Sequence, residues 1–419
     1  MSNLLTEITT LALAAKAAAR QVATASGATR ARALQSTAHE IRAAQTTLLA
    51  ANAQDVSDAR AKGLSEAMID RLRLDGPRLE AIAAACEAVA QLPDPVGEVM
   101  TAWTRPNGLH IAQRRVPLGL IAVIFESRPN VTIDAAALCL RAGNTCLLRG
   151  GSEALRTNQA LAQAMRAGLK TAGLPEAAVT LIPFTEREAV AAMGSLRGIV
   201  DVLIPRGGPG LIAAVANSAK VPVIKHDAGI CHLYVHSQAN LEQALAITIN
   251  AKCQRPSACN AAETLLVDAA VAPTFLPLLG RALTTHATAI RACPRALAWL
   301  PGAQPASDED FRTEHLALIL NVKVVDNLNA ALTHIATYGS AHSEAIITED
   351  AEVARSFLDQ VDSACVYWNA STRFTDGGEF GFGSEIGIST DRLHARGPVG
   401  LKALTTWKYE VTGQGQVRS

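Results

Sequence analysis

Cys259 stands in a sequence context that suits covalent chemistry. It lies in the segment KCQRPSACNAAETLLV (Lys252–Val267), where Pro256 and Ser257 end a helical pattern and an apolar, strand-like run follows. A thiol in such a turn is a candidate nucleophile, because a thiolate attacks acyl carbons and also leaves them readily. The competing interpretation is a small apolar core residue, which is the commoner role of an unpaired cysteine.

Two glycine-rich turns follow predicted strands and precede predicted helices. Such turns expose backbone N–H groups at the positive end of a helix, where a phosphate binds favourably. The candidate residues are Gly207, Gly208 and Gly210 in the first turn and Arg149, Gly150, Gly151 and Ser152 in the second. A guanidinium and a hydroxyl in the second turn suit a ribose or an adenosine phosphate. Neither turn has the G-x-G-x-x-G spacing, so ordinary tight turns and a surface arginine are the alternatives.

Composition restricts the class of protein. At 419 residues, of which 49% are apolar, the chain is long enough for roughly two or three domains with large cores. Its formal net charge is zero and it has no basic run, which argues against nucleic-acid or anionic-membrane partners and favours a small-molecule substrate. The longest apolar stretches, such as Leu118–Phe125, are far too short to span a membrane.

The cysteines indicate a reducing compartment. All eight are scattered, without a C-x-x-C pair or a secretory signal, which is typical of free thiols in a cytoplasmic protein. No histidine or further cysteine completes a zinc-binding spacing around Cys253 and Cys259, so we expect no metal site.

Strands and helices alternate along most of the chain at the spacing of βαβ units, which predicts parallel, doubly wound sheets. There are two successive series, so we predict two consecutive α/β domains. The first series has predicted strands at Gly119–Phe125, Thr145–Arg149, Val179–Pro183, Val200–Pro205 and Val221–Lys225. The second has them at HLYVH (232–236), Ala262–Val267, near Ala296–Leu300, Val322–Val325 and Ser343–Ile347.

Both ends of the chain depart from this alternation. Residues 1 to about 95 show helical periodicity and predict a set of helices. The segment RPNGLH then places an Asn107-Gly108 turn between two strand-like runs, which is a strong hairpin signal. The segment LTTWKYEVTG (404–413) predicts an extended arm near the C-terminus, and the hairpin is expected to pair either with this arm or with another subunit.

Several segments, taken in order, carry a resemblance to a known family. VPLGLIAVIFESRP, AGNTCLLRGGSEA, VIKHDAGICHLYVH, QRPSACNAAETLLV and NASTRFTDGGEFGFGSEIG resemble the successive landmarks of the aldehyde dehydrogenase superfamily. Within it, Val325–Ile347 (VDNLNAALTHIATYGSAHSEAII) and Leu393–Leu401 (LHARGPVGL) are similar to the signature of the γ-glutamyl phosphate reductases. The resemblance covers essentially the whole chain.

This resemblance implies an α/β fold of the aldehyde dehydrogenase type. It implies a Rossmann-type nucleotide-binding domain at 1–225, with the hairpin 99–117 in a small oligomerisation arm, and an α/β catalytic thiol domain at 226–390. Residues 391–419 would return to the first domain and form a C-terminal arm. The implied reaction is the NADPH-dependent reduction of L-γ-glutamyl 5-phosphate to L-glutamate 5-semialdehyde and phosphate in proline biosynthesis. A homo-oligomer and a glutamate kinase partner are expected.

The resemblance also assigns roles to single residues. Cys259 would form a thioester with the acyl group. Ser127 stands where the superfamily has an oxyanion-stabilising Asn, so the expected catalytic donors are the Cys259 backbone N–H and, as its partner, Ser127 or Asn130. Arg149 stands where a cofactor-binding Lys is common, and a cation with no adjacent acid favours NADPH over NADH. Glu314 matches the glutamate that positions the nicotinamide ribose, with a helix-start carboxylate as the alternative.

An acyl phosphate also needs cations. Arg128, Lys252 and Arg255 are the nearest candidates in sequence, and Arg255 is favoured because it shares the loop of the thiol. His342, Ser343 and Glu344 lie in the family signature and are expected to bind the glutamyl end of the substrate, with packing as the alternative.

A departure from ordinary aldehyde dehydrogenases bears on the reaction. The segment KHDAG has His226 at the position where those enzymes carry a glutamate base, so the thioester is expected to exchange with phosphate instead of water. His226 is either an acid–base group or a structural histidine. Two other functions stay open: a phosphorylating or CoA-linked aldehyde dehydrogenase with another acyl donor, and a non-enzymatic binding protein on the same fold.

Overall fold

The computed structural model describes residues 2–225 and 228–418. The chain divides into two compact units. The first unit comprises Met1–Lys225, Gly381–Gly387 and Val399–Ser419, and the second unit comprises His226–Phe380 and Ile388–Pro398.

Helices make up much of both units. They are α1 (Ser2–Thr24), α2 (Gly27–Ala43), α3 (Gln45–Ala61), α4 (Glu66–Leu72), α5 (Gly76–Gln91), α6 (Val131–Arg141), α7 (Leu155–Thr171), α8 (Arg187–Ser195), α9 (Pro209–Ser218), α10 (Leu241–Cys253), α11 (Ala272–Thr285), α12 (Pro294–Leu297), α13 (Asp308–Phe311), α14 (Leu328–Tyr338) and α15 (Ala351–Gln360). Ser26, Asp75 and Asn240 cap helices by accepting a hydrogen bond from a backbone N–H in the first turn. None of the described helices has the length and apolar character needed to cross a bilayer.

The strands are β1 (Val99–Thr104), β2 (His110–Pro117), β3 (Leu120–Phe125), β4 (Thr145–Arg149), β5 (Val179–Leu181), β6 (Val202–Arg206), β7 (Cys231–Val235), β8 (Ala262–Asp268), β9 (Ala289–Ala292), β10 (Gln304–Pro305), β11 (Ile319–Val325), β12 (Ser343–Ile347), β13 (Cys365–Trp368), β14 (Ile388–Ser389), β15 (Gly397–Pro398) and β16 (Thr405–Thr412). From β3 to β13 the strands alternate with helices, as the sequence predicts for two α/β series. The predicted α/β fold class is confirmed.

The first unit contains a parallel sheet in the order β5-β4-β3-β6. Strands β3 and β4 are buried along their whole length, as expected when helices cover both faces of a parallel sheet. The strand predicted at Val221–Lys225 is wrong, because this segment makes only a single bridge, between Leu203 and Val223. Pro222 within the segment has no N–H to donate, which prevents a regular ladder there.

A separate antiparallel sheet in the first unit has the order β1-β2-β16. The predicted hairpin turn is present, and Gly108 has a φ of +86° that favours glycine. Strand β16 pairs with β2 from Thr405 opposite Pro117 to Thr412 opposite His110. Of the two pairing partners expected for the hairpin, the structure therefore shows the C-terminal segment of the same chain.

The second unit is built on a sheet in the order β10-β9-β11-β8-β7-β12-β13, parallel throughout. Its core is formed by apolar residues of the central strands and of α11, including Phe275 and Leu276. The strand predicted near Ala296–Leu300 is wrong: this region begins with the short helix α12, and the strand is β9, which lies before it. Pro294 occupies the first turn of α12, where its fixed φ suits a helix start.

The C-terminal part of the chain is divided between the two units at other residues than the predicted boundary, which lay between 390 and 391. Residues Gly381–Gly387 group with the first unit, and Ile388–Pro398 group with the second. The second grouping has a local cause, because β14 and β15 pair with each other and Arg396 Nη1 donates to Asp362 Oδ1 at 2.7 Å.

Candidate active site

Cys259 lies in the loop that connects α10 to β8, residues 254–261, which we call the thiol loop. Six of the eight cysteines are buried, and only Cys253 and Cys259 are half-exposed. Cys253 ends α10, and its Sγ lies 3.4 Å from Thr288 Oγ1. Cys259 is therefore the half-exposed thiol that the thiol loop presents.

The backbone of Cys259 is held from several sides. Gly229 packs so closely that a Cβ there would overlap the Cys259 carbonyl group and lie 2.8 Å from Cys259 Cα. The Cys231 thiol donates to the Cys259 carbonyl oxygen at 3.3 Å, and burial raises the pKa of this thiol, which keeps it a protonated donor. Asn260 Nδ2 donates to the Thr375 carbonyl oxygen at 2.8 Å. These contacts fix the backbone that carries the nucleophile candidate.

A buried hydrogen-bonded network lies behind the thiol loop. His342 Nδ1 lies 3.6 Å from Cys231 Sγ and 2.8 Å from Ser343 Oγ. Ser343 Oγ and the Tyr367 hydroxyl each lie 2.7 Å from Thr375 Oγ1. His342 and Ser343, predicted as substrate contacts, are fully buried, which favours the packing alternative left open by the sequence.

Two carboxylates, those of Glu263 and Glu314, interact electrostatically with the Lys252 ammonium group. Lys252 Nζ and Glu263 Oε2 form a fully buried ion pair of 2.7 Å, and Glu263 Oε1 accepts a hydrogen bond from the Leu316 N–H at 3.2 Å. Burial raises the pKa of Glu263 to about 7, although Lys252 opposes this shift. Burial also raises the pKa of Glu314, whose carboxylate accepts a hydrogen bond from the Gly229 N–H. Glu314 is thus tied to the residue that packs on the thiol loop.

Glu314 is not a helix-start carboxylate. It lies in the connection between α13 and β11, two residues before Leu316, which has a φ of +53°. A left-handed conformation is costly for a branched residue, so the turn depends on contacts such as the one between the Leu316 N–H and Glu263.

Two arginines of the second unit lie near the thiol. Arg255 is an exposed residue of the thiol loop, and Arg373 lies in the segment after β13. Arg373 Nε donates to Gln254 Oε1 at 2.9 Å. Burial and then the charge of Arg255 lower the pKa of Arg373, whereas Cys259 opposes the shift. Sequence reasoning missed Arg373, although it belongs to the landmark NASTRFTDGGEFGFGSEIG and is the one cation in that segment.

Arg149 lies at the carboxyl end of β4 in the first unit. Its side chain is buried, Nη2 donates to the Thr185 carbonyl oxygen at 2.5 Å, and Nε has no hydrogen-bond partner among the described residues. The expectation of no adjacent acid is wrong: burial lowers the pKa of Arg149, and Glu153, Glu126 and Glu186 oppose that shift. The reason is topological, because loops that follow neighbouring parallel strands meet at one edge of a sheet.

The predicted oxyanion donors already have carboxylate partners within the first unit. Ser127 has a φ of +51°, and its N–H and Oγ donate to Glu153 Oε1 at 2.6 and 2.8 Å. Asn130 Nδ2 donates to Asp134 Oδ2 at 2.7 Å. Arg128, between them, is exposed. An oxyanion role for the Ser127 hydroxyl therefore requires its hydrogen bond to Glu153 to be exchanged, whereas Asn130 Nδ2 has a second N–H to donate.

The glycine turns lie at the same edge of the parallel sheet. Helix α9 begins directly after Gly208, whose N–H donates to Glu126 Oε2 at 3.1 Å. A Cβ on Gly207 would overlap Glu126, whereas Gly208 and Gly210 face open space. The second turn, Gly150–Ser152, follows β4 and leads into α7. A helix start with open glycines and a buried, partly unpaired guanidinium fit an anionic nucleotide. His226 lies outside the described residues.

These features define a class of enzyme: an α/β protein in which one unit has a sheet edge that fits an anionic nucleotide and the other has a half-exposed thiol on a fixed backbone. Comparison with known proteins agrees. Residues 5–290 match the model of the aldehyde dehydrogenase family. Members of this family use a nicotinamide cofactor.

The chain is also similar to particular members over nearly its whole length. It is 52% identical to the gamma-glutamyl phosphate reductase of Heliobacterium modesticaldum, covering 96% of this chain and 97% of that one. The same identity holds for the Moorella thermoacetica enzyme of that name, covering 99% and 100%. The crystal structure of the Thermotoga maritima gamma-glutamyl phosphate reductase superposes with a TM-score of 0.97 at 46% identity, covering 99% and 100%. The chain therefore belongs to the aldehyde dehydrogenase family and, within it, to the γ-glutamyl phosphate reductases. An enzyme with another acyl donor is not favoured.

Proposed function

We propose that this protein reduces L-γ-glutamyl 5-phosphate to L-glutamate 5-semialdehyde and phosphate with NADPH, as a step of proline biosynthesis. The observation that carries the proposal is the thiol loop, which presents a half-exposed Cys259 on a backbone held by Gly229, Cys231 and Asn260. The family to which the chain belongs supports the choice of acyl donor.

Cys259 acts as the nucleophile in this proposal. Its Sγ bonds to the acyl carbon, the bond from that carbon to the phosphate oxygen breaks, and phosphate leaves with the electron pair. NADPH, when bound, supplies the hydride that reduces the thioester carbonyl carbon. The carbonyl then re-forms as the carbon–sulfur bond breaks, which releases the aldehyde and returns the Cys259 thiolate.

The sheet edge of the first unit would hold the cofactor. The proposed contacts are Arg149, Gly150, Gly151, Ser152, Gly207, Gly208 and Gly210, with Glu314 of the second unit for the nicotinamide ribose. The partly unpaired guanidinium of Arg149 would receive an additional phosphate and so favour NADPH over NADH, even though carboxylates surround it. An unchanged ratio of kcat/KM for the two cofactors in Arg149→Gln would contradict this preference.

Ser127 and Asn130 are proposed as donors to the oxyanion that forms at the acyl oxygen. Both belong to the connection between β3 and α6, and both have a side-chain donor now bound to a carboxylate. Arg128 and Arg255 are proposed to bind the substrate. His342 and Ser343 are proposed to support the substrate site by packing behind the thiol loop, since both are fully buried.

A homo-oligomer in the cytoplasm is proposed, and the antiparallel sheet β1-β2-β16 supports the oligomer. This sheet exposes apolar side chains on β1 and β16, and the rings of Trp103 and Tyr409 pack edge to face with centroids 6.2 Å apart. Such a surface on a monomer would be costly, so a second copy is the proposed cover. A monomeric mass by sedimentation would contradict this.

A glutamate kinase is the proposed supplier of the labile acyl phosphate. Equal flux with separated enzymes would count against contact between the two.

The reverse reaction tests the function most directly. With glutamate 5-semialdehyde and NADP, the enzyme should reduce NADP only when phosphate or arsenate is present. A phosphate-independent rate would mean that the thioester is hydrolysed by water, and a rate that required CoA would mean another acyl acceptor.

The nucleophile is tested by matched cysteine variants. Cys259→Ser should abolish turnover, because a serine hydroxyl at neutral pH is a far weaker nucleophile and leaving group. Cys253→Ser, at the end of α10, should keep it. Alkylation mapped by mass spectrometry should show substrate protecting Cys259, and protection of Cys253 instead would reassign the site.

A further inference from the structure

We propose that Arg373, together with Arg255, forms the site that holds the phosphoryl group of the acyl phosphate beside Cys259. This rests on the proposed function, and it adds a residue that the sequence did not single out. It also assigns Arg255, among the candidate substrate cations, to the phosphate.

The backbone of Arg373 is fixed relative to the thiol. Asn260, which follows Cys259 directly, donates from Nδ2 to the carbonyl oxygens of Arg373 at 3.3 Å and Thr375 at 2.8 Å. Thr372 Oγ1 donates in return to the Asn260 carbonyl oxygen at 2.7 Å. Three hydrogen bonds thus join the segment that carries Arg373 to the thiol loop.

The side chain of Arg373 contacts the N-terminal end of the thiol loop. Its Nε donates to Gln254 Oε1 at 2.9 Å, and Gln254 precedes Arg255. No described residue accepts a hydrogen bond from the two terminal nitrogens of Arg373. One edge of the guanidinium therefore holds the arginine in place, and the terminal donors can bind a ligand.

The charges around this site favour an anion. The guanidinium of Arg373 interacts unfavourably with Arg255 and favourably with Cys259 and Asp376. Asp376 has a structural role, since its Oδ1 accepts hydrogen bonds from the N–H groups of Gly378 at 2.8 Å and Glu379 at 3.3 Å. A dianion between the two guanidiniums would remove their repulsion and accept their forked donors.

The site also suits the chemistry of the first step. As the acyl–phosphate bond breaks, negative charge grows on the leaving phosphate oxygens, and fixed guanidiniums stabilise that charge without reorganising. In the reverse direction the same site would position inorganic phosphate to attack the thioester.

Phosphate dependence of the reverse reaction tests this inference. Arg373→Gln should raise the KM for inorganic phosphate about 10- to 100-fold, with little change in the KM for the semialdehyde, because a charge-assisted contact to phosphate is lost. Arg373→Lys should recover part of the loss. Arg281→Gln, an exposed arginine on α11, is the matched control and should behave as wild type. A phosphate KM within twofold of wild type in Arg373→Gln, or a rise confined to the semialdehyde KM, would overturn the assignment.

Alkylation of Cys259 provides a readout that does not need turnover. Iodoacetate is an anion and iodoacetamide is neutral, so a cationic site beside the thiol should favour iodoacetate, and phosphate should compete with it. Arg373→Gln and Arg255→Gln should each lower the iodoacetate rate about tenfold and leave the iodoacetamide rate nearly unchanged. If phosphate competes with iodoacetate but the reverse reaction does not depend on phosphate, the anion site is supported and the proposed function is refuted. Equal loss of both alkylation rates would show that these arginines only shape the loop.

Discussion

The sheet edge of the first unit and the thiol loop of the second hold their candidate residues in opposite ways. At the sheet edge, carboxylates of the same unit occupy the candidate donors: Glu153 binds Ser127, Glu126 binds the Gly208 N–H, and Asp134 binds Asn130. At the thiol loop, the protein binds the backbone of Cys259 and leaves the thiol half-exposed.

This difference separates two kinds of preorganisation. Around Cys259 the supporting bonds involve backbone groups that need not change during the reaction, so their contribution is already present when substrate arrives. Around Ser127 a ligand must displace a carboxylate before the hydroxyl can serve it, and the exchange costs part of the binding free energy. Substitutions that disturb the backbone of the second unit should therefore have larger effects than those that remove a side chain at the sheet edge.

The largest effect is expected from Gly229→Ala. The new methyl group would overlap the Cys259 carbonyl, and the backbone of the thiol loop would have to move. We expect kcat to fall at least about 100-fold, since misplacement of a reacting group by about 1 Å has that effect. The unfolding free energy should fall by about 1–3 kcal/mol, as in an overpacked core.

Gly280→Ala on α11 is the control for this substitution. Its Cβ would meet only Leu300 Cδ2 at 3.1 Å, the flexible end of a side chain, and alanine favours a helix interior. Steady-state kinetics and urea unfolding should show near wild-type values. Wild-type kcat in Gly229→Ala would show that the thiol loop tolerates displacement. The thiol loop would then not be more strictly preorganised than the sheet edge.

The sequence alone was sufficient for part of this picture. Strand β4 was predicted at its observed bounds, Thr145–Arg149, because a short apolar run lies between two turn signals at Gly143 and Gly150, and Cys259 stood out through its local sequence. The arginine at 373 and the carboxylate at 263 did not, because their importance arises from contacts with Gln254, Leu316 and Lys252 that no local pattern encodes.

Two errors have different causes. The segment from Ala296 to Leu300 is apolar enough for a strand. Pro294, just before it, has a fixed φ that favours the start of a helix. Arg149 was expected to lack acids because none is adjacent in sequence, whereas the sheet brings Glu126 and Glu186 to it from other loops. A local residue fixed the first outcome, and tertiary contacts fixed the second.

A smaller effect is expected from Ser127→Gly. Glycine accepts the φ of +51°, so the fold should keep its stability while the hydroxyl is lost. If the hydroxyl stabilises the oxyanion, kcat should fall about 10- to 100-fold, less than for a donor without a competing carboxylate. Ser127→Ala loses the same hydroxyl and should match this kcat, but with a lower unfolding free energy because alanine is strained at that φ. Unchanged kcat in both variants would mean that the Ser127 hydroxyl has no oxyanion role and only binds the Glu153 carboxylate.

The smallest effect concerns Glu263 and the dependence of stability on pH. Its pKa rises from 4.5 in an exposed chain to about 7 in the folded protein, so between these values the folded state binds more protons than the unfolded state. The contribution of Glu263 to the unfolding free energy is therefore greatest below pH 4.5 and is lost as the pH rises through 7, by about 1–3 kcal/mol in total. Glu263→Gln cannot ionise, so its unfolding free energy, measured by urea denaturation, should fall less over this range than that of wild type. Parallel curves for the two proteins would mean that Lys252 keeps Glu263 ionised throughout, and that the Leu316 turn is held by a permanent ion pair.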